Sequence, residues 1–248
     1  MLKKLIMFFI CFYSFLFCFL PSISQATSAV KDPYEPYNRV MFNFNRDIDL
    51  LIMTPVASMY KTFLPNIAQE GIHNAFNNLD SVPVIINDAL QFKVYQFAQD
   101  TWRLFFNTTF GILGLFDVAS KIGLPSHDND FGMTLATWGY KNSNYFIIPF
   151  FGSSTIRDAI GFGVDSQFFT VYSYLDEVSL RNYLLALDFI QNRADKLQYQ
   201  PLIDQAALDQ YIFMRDAYMQ RRTHVINRNN SKDPNDNGYS NDDPFLSQ

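Results

Sequence analysis

The chain is short of the groups around which enzymes and exported folds are usually built. It has two cysteines, Cys11 and Cys18, and both fall within the first 29 residues. Beyond them there is no thiol for a disulfide frame, a redox pair or a zinc cluster. The three histidines, His73, His127 and His224, stand far apart, without the paired spacing of a metal site. Charged residues make up 17% of the 248 positions, below the roughly 25% of an average soluble domain. A net charge of −5 leaves no basic stripe and excludes a general nucleic-acid binder. There is no Gly-x-Ser-x-Gly elbow and no phosphate loop. Gly161-Phe-Gly163 is half of a dinucleotide loop, but it follows no strand and reads as helix packing. These gaps describe a protein that is not an enzyme and needs neither cofactor nor metal.

Aromatic residues, by contrast, are abundant, with 26 Phe and 14 Tyr against 2 Trp in a chain that is 48% hydrophobic. Such a composition excludes a disordered chain, a coiled coil and a collagen. The length suffices for one large domain with a sizeable core.

Residues 1–29 read as an export signal. Lys3 and Lys4 precede an apolar run from Leu5 to Leu20, interrupted only by Ser14 and stopped by Pro21. Ser24/Ala26 and Thr27/Ala29 both satisfy the small-x-small rule for cleavage. The run is short of the ~20 residues needed to span a bilayer, so a cleaved signal is expected rather than an anchor. Removing it takes two lysines and no acid, which moves the net charge from −5 to −7. Cys18 sits between Phe17 and Phe19, a poor acylation site.

From residue 30 to 222 the pattern is mostly helical, and one domain is the simplest reading. Tyr37, Val40, Met41, Phe44 and Ile48 recur at helical steps after Asp32-Pro33. Pro55 and Pro65 punctuate the next stretch, and Asn66 is a candidate cap. A periodic segment from Val82 to Thr109 places Val94, Phe97, Ala98, Trp102, Phe105 and Phe106 on one face, before Gly111 and Gly114. Residues 121–144 are the least helical part. Two late helices carry Leu180 to Leu197 and Leu208 to Arg222. From 223 to 248 the composition turns to Asn, Asp, Ser, Gly and Pro, which reads as a disordered tail.

Two polar motifs carry possible chemistry. His127-Asp-Asn-Asp130 could hold a cation or a headgroup, but a solvated loop fixed by Asx turns is the favoured reading. Asp233-Pro-Asn-Asp-Asn-Gly238 mimics a calcium loop, yet Pro244 stands where the terminal Glu belongs. The broad apolar faces imply a thick core or a surface meeting lipid. Tyr145-Phe-Ile-Ile-Pro-Phe-Phe151 leaves neither face polar, and both a helical hairpin in a leaflet and a buried strand remain open. Its Phe146, Ile147, Ile148, Phe150 and Phe151 are candidate membrane contacts.

Several blocks resemble the MlaA/VacJ family of outer-membrane phospholipid-transport proteins. They are Asp32-Pro-Tyr-Glu-Pro-Tyr-Asn-Arg-Val-Met-Phe-Asn-Phe-Asn45, Arg103-Leu-Phe-Phe-Asn-Thr-Thr-Phe-Gly-Ile-Leu-Gly-Leu-Phe-Asp117 and Asp130-Phe-Gly-Met-Thr-Leu135. Trp138-Gly139, Pro149-Phe-Phe-Gly-Ser-Ser-Thr-Ile-Arg-Asp158 and Asp209 to Arg221 come after them in order. The resemblance implies an all-α, ring-like domain in the periplasmic leaflet of the outer membrane, enclosing an amphipathic channel. It also implies removal of misplaced phospholipids from the outer leaflet, association with a trimeric outer-membrane porin and delivery to a periplasmic lipid-carrier protein. A porin-bound adaptor without a lipid path, and a periplasmic lipid hydrolase, are the competing functions. Polar residues set in apolar blocks are the candidate lipid-path positions: Asn43, Arg46, Arg157, Asp158, Arg193 and Arg215. Asn43-Phe44 is the candidate gate. Two departures from the family stand out: no convincing acylation Cys, and Gln210 where Pro is common.

Overall fold

The computed structural model describes residues 32–201 and 209–230. The expected export signal and its cleavage sites, and the calcium-like stretch of the tail, lie outside the described residues. Within them the fold is all-helical apart from one short hairpin. Helix α1 (Glu35–Ile48) runs through a π-helical turn (Asp49–Met53) into α2 (Thr54–Phe63). Helix α3 spans Asn66–Leu90 and α4 spans Val94–Thr109. Short helices α5 (Val118–Lys121) and α6 (Phe131–Thr137) precede strands β1 (Tyr145–Ile148) and β2 (Gly152–Thr155). Helices α7 (Ile156–Val164), α8 (Val178–Lys196) and α9 (Gln210–Asn230) complete the order.

Several local choices differ from the sequence pattern for visible reasons. Pro55 does not end a helix: it follows directly on the π turn, in a run that stays helical from Glu35 to Phe63. Pro65, extended at φ −61° and ψ 146°, does break the chain, and it caps α3 in place of Asn66. The segment from Val82 to Thr109 is two helices, since the chain turns at Gln91–Lys93 with Phe92 at positive φ. The expected tail does not begin at 223. Helix α9 continues to Asn230, because Ile226 falls on the same face as Met219 and is buried.

The apolar run 145–151 is a strand and a turn, and not a helical hairpin. Tyr, Phe and Ile favour a pleated, half-buried surface, and Pro149 ends the ladder. Strand β1 pairs antiparallel with β2, Tyr145 opposite Thr155 and Ile148 opposite Gly152. Its other edge is closed by a helix. Asn38 donates to the Tyr145 carbonyl (3.2 Å) and accepts from the Ile147 amide (2.9 Å). Two turns along α1, Asn45 donates to the Ile148 carbonyl (3.0 Å) and accepts from the Phe150 amide (2.7 Å). The two carboxamides stand in for a third strand, which satisfies an edge that would otherwise be open.

The apolar clusters are small. Ala57, Tyr60 and Ala194 join α2 to α8, and Tyr145, Ile147 and Tyr211 join β1 to α9. Helices α6 and α7 cross at Gly132 and Gly161, where a methyl group on either would strike the partner's backbone or Asp158. The Gly161-Phe-Gly163 pair therefore serves helix packing at Gly161.

Candidate functional site

Helix α4 shows the principle on which the site is built. Its buried residues are Asp100, Arg103 and Asn107, at spacings that place them on one face. Val94, Tyr95, Phe97, Trp102 and Phe105 are exposed. Trp102, Phe105 and Phe110 pack edge to face along this outer surface, 5.7 and 6.4 Å between successive rings. The exposed apolar surface continues through Ile112 and Leu113, both held at positive φ by the turn after α4, and through Leu50, Leu51 and Ile52 of the π turn. So large an apolar exterior marks a surface made for lipid or protein. No helix among the described residues is long and apolar enough to cross a membrane.

Inside, buried polar groups stand beside the small apolar clusters. A cavity of about 440 Å³ lies between α3, α4, α5 and the loop before α6. Its wall carries Asn74, Asn77, Asn78, Asp80 and Ser81 from α3, with Arg103, Asp117, Ser120 and Asp128 opposite. Arg103 is the guanidinium of this wall, and it is engaged: it donates to Asp117 (3.2 Å), Ser120 (3.2 Å) and the Leu124 carbonyl. Burial pushes the Asp117 carboxyl up, but bonds from Ser120, with Arg103 and Asn107 beyond, hold it below the usual range. Asp80 and Asp128 differ. Both are exposed, Asp128 by 76%, yet burial, joined by Asp188 for the first and Asp130 for the second, raises both carboxyls. Asp80 reaches about 7. Open to water but surrounded by protein, these two groups stand in a concave, partly desolvated place.

The loop 126–130 is not a solvated turn. His127 meets Asp100 at 2.8 Å with both side chains buried. Asn129 donates to Asp88 (2.7 Å) and accepts from Gln91 (2.8 Å). Asp130 caps α6 through the Met133 amide (2.8 Å) and receives two bonds of 2.7 Å from Arg222. Arg222 reaches on to Asp158 (2.8 Å), which also accepts from Arg157 (2.8 Å) and Tyr218 (3.0 Å). Burial pushes the Asp158 carboxyl up, but Arg222 and then Arg157 bring it below the ordinary range. This network fastens α9 to α6 and α7. Among the described residues no group of His, Cys, Asp and Glu could hold a metal ion.

The candidate lipid-path residues are scattered by the fold. Arg157 is 1% exposed and, with Asp158, belongs to the network centred on Arg222. Arg193 clamps α8 to the π turn through Asp49 (2.7 Å), Thr54 and Gln200. These three are structural ties and do not line the cavity. Asn43 and Arg46 border a second groove of about 380 Å³ with Arg39 and Tyr211, and Arg46 lies beside Asp47 at 3.2 Å. Arg215 pairs with Asp216 at 2.8 Å. Phe44 packs edge-on against Phe150, 5.2 Å between rings, so the candidate gate touches the hairpin turn. Of the candidate membrane contacts, Ile147 is 1% exposed and is corrected to a core residue. Phe146 is half-buried and stacked on Tyr37, and Ile148 is half-buried. Phe150 and Phe151 are exposed.

The amides and acids of α3 went unnoticed in the sequence. The signal was there: Asn74, Asn77, Asn78 and Ser81 recur at helical steps, as do Asp100, Arg103 and Asn107. A polar stripe beside an apolar one reads as a solvated face unless the apolar side is itself the exterior.

A helical body with a polar-walled cavity and a broad apolar exterior defines a class of protein built to meet a membrane. The chain belongs to the MlaA lipoprotein family, whose model matches residues 30–225. It is 35% identical over 201 residues to the Escherichia coli K12 intermembrane phospholipid transport system lipoprotein MlaA, covering 79% of this chain and 78% of that one. It is 32% identical over 193 residues to an uncharacterized protein of Rickettsia felis, covering 78% and 77%. A solved structure described as the structural basis for maintenance of bacterial outer membrane lipid asymmetry superposes with a TM-score of 0.69 at 32% identity. It covers 79% of this chain and 99% of that one.

Proposed function

We propose that this protein is a non-catalytic conduit that removes misplaced phospholipids from the outer leaflet of the outer membrane and passes them toward the periplasm. The inversion of polarity carries this reading. A charged headgroup crossing an apolar slab unaided costs many kcal/mol. A cleft walled by Asn74, Asn77, Asn78 and Ser81 lowers that cost, while the aromatic exterior of α4 keeps company with acyl chains. The E. coli relative's name and the description of the superposed structure support the outer-membrane destination.

In this reading the body rests in the periplasmic leaflet after export through a cleaved signal, held by its apolar exterior and not by an acylated cysteine. A trimeric porin supplies part of the wall, and a periplasmic lipid carrier takes the lipid onward. The gate is Asn43-Phe44, of which Phe44 meets Phe150 of the hairpin turn. Deleting the pair rotates the rest of α1 by roughly 200°, at 100° per residue. That would turn Asn45 away from Ile148 and Phe150.

The test is a deletion strain assayed for outer-leaflet phospholipid, for instance by palmitate transfer onto lipopolysaccharide. A rise is expected, reversed by the intact gene but not by an Asn77→Leu/Ser81→Leu variant, whose cleft wall is apolar. No rise would reject the conduit and leave an adaptor. A rise that the variant reverses would reject the polar path.

A further inference from the structure

The turn between α3 and α4 buries an acid and a base that do not meet. Asp88, in the last turn of α3, is wholly buried. Its Oδ1 accepts from Asn129 (2.7 Å), while its Oδ2 has no donor. The carboxyl lies within hydrogen-bonding reach of Asp100 on α4, itself 3% exposed and met from its other side by His127 (2.8 Å). Five residues beyond Asp88, the Lys93 amide donates to the Asp88 carbonyl (3.0 Å), but its Nζ is buried without a partner. Helix α9 brings one more charge, Arg228, which acts on Lys93. The neighbouring acid Asp165 is held separately, by Asn87 and the Phe131 amide, each at 2.9 Å.

Two carboxylates in contact away from water do not both ionise. One proton between them turns their repulsion into a hydrogen bond. Without that proton, Lys93 is the better partner for Asp88, because a buried carboxylate and a buried ammonium that each lack a partner satisfy one another. The first arrangement keeps Asp88 on Asn129 and so ties loop 126–130 to α3. Ser126, His127 and Asp128 of that loop border the cavity of about 440 Å³.

We propose that Asp88 and Asp100 hold one proton between them, and that its loss hands Asp88 to Lys93 and frees loop 126–130 from the wall of the cavity. The device stands whatever passes through the cavity. Burial above all raises the Asp88 carboxyl to about 7 and lowers the Lys93 ammonium to about 8. A raised carboxyl stabilises fully below its ordinary value and loses that contribution as pH rises through 7. The latch therefore holds in acid and yields above neutrality. Between the two values the acid is ionised and the base still charged, which is where the ion pair forms.

Hydrogen exchange at the Asp130 amide, which donates to Asn129 Oδ1 (3.1 Å), follows the latch in the full chain in detergent micelles, each rate divided by the intrinsic rate at its pH. Between about pH 5 and 8 its protection should fall at least about tenfold more than that of amides in the middle of α8, which report global opening. In Asp88→Asn, whose amide donates permanently to Asp100, the excess fall should shrink to within about twofold. Asp100→Asn supplies the same donor from the other side and should do likewise, with circular dichroism verifying both folds. Lys93→Met removes the second partner and should move the fall to higher pH. Infrared difference spectra near neutrality should show a protonated-carboxyl band that Asp88→Asn removes. Equal falls at Asp130 and in α8, or a band untouched by Asp88→Asn, would overturn the proposal. So would an excess fall that Asp165→Asn abolishes and Asp88→Asn does not, since the proton would then belong to Asp165.

Discussion

Replacing Arg222 with methionine removes the tie on which the C-terminal helix depends. The guanidinium makes two bonds of 2.7 Å to Asp130 and one of 2.8 Å to Asp158. Its side chain is 14% exposed and that of Asp158 is 8%. Methionine fills most of the volume but leaves two carboxylates facing each other with only Arg157 and Tyr218 to hold one of them. Breaking a buried pair from one side costs roughly 3–5 kcal/mol. For a body of this size that corresponds to a fall in melting temperature of about 10 °C. Arg222→Lys should lose less, because one charge remains although the fork that bridges two acids does not. The pH dependence fixes the cause. In the native protein the Asp158 carboxyl is held below its ordinary value of 3.8. Its contribution is therefore present above that value and lost as pH falls through the depressed one. The deficit of the methionine variant should be greatest near neutrality and narrow below about pH 4. Thermal unfolding in detergent micelles across pH, with hydrogen exchange along α9, measures both. A deficit under about 1 kcal/mol at neutral pH, no larger than a surface ion pair, would refute the reasoning.

Asn45→Ala should leave the Ile148 carbonyl and the Phe150 amide unpaired, costing about 1–3 kcal/mol and speeding exchange at Phe150 while α8 stays protected. Asp88→Asn should stabilise the protein near neutrality by on the order of 2 kcal/mol. Burial above all raises that carboxyl to about 7, so its contribution is full below about pH 4 and lost as pH rises through 7. Urea unfolding at pH 4 and 8 should show a clearly larger advantage of the variant at the higher pH. Phe105→Asp on the outer face of α4 should weaken binding to phospholipid vesicles in flotation while leaving helicity unchanged, and an undiminished floating fraction would contradict a lipid-facing α4.

What could be read from the sequence tracked the periodicity of apolar residues. Helices α1, α8 and α9 announced themselves at three- and four-residue steps, and the ordered blocks carried the family. Orientation was another matter. The face of Val94, Phe97, Trp102 and Phe105 is the same whether it meets a core or a membrane, and only the burial of Asp100, Arg103 and Asn107 decides. The arginines Arg157 and Arg193 resembled channel residues because they sat among apolar neighbours, but such isolation equally describes a buried tie. Loop 126–130 looked solvated because Asp88, Asp100 and Arg222, which hold it, are distant in sequence. The strand at Tyr145 was ambiguous because its edge is satisfied by two side chains of a helix, a pairing no local pattern encodes.

The central claim is that water lines the inside of this protein and lipid covers the outside. Single cysteines at Ser81 on the cleft wall and at Phe105 on the outer face, introduced into a chain with Cys11 and Cys18 replaced by serine, test it in intact membranes with a membrane-impermeant thiol reagent. The account predicts labelling at position 81 and protection at position 105 until detergent is added. Equal labelling at both positions, or protection at 81 with labelling at 105, would contradict it.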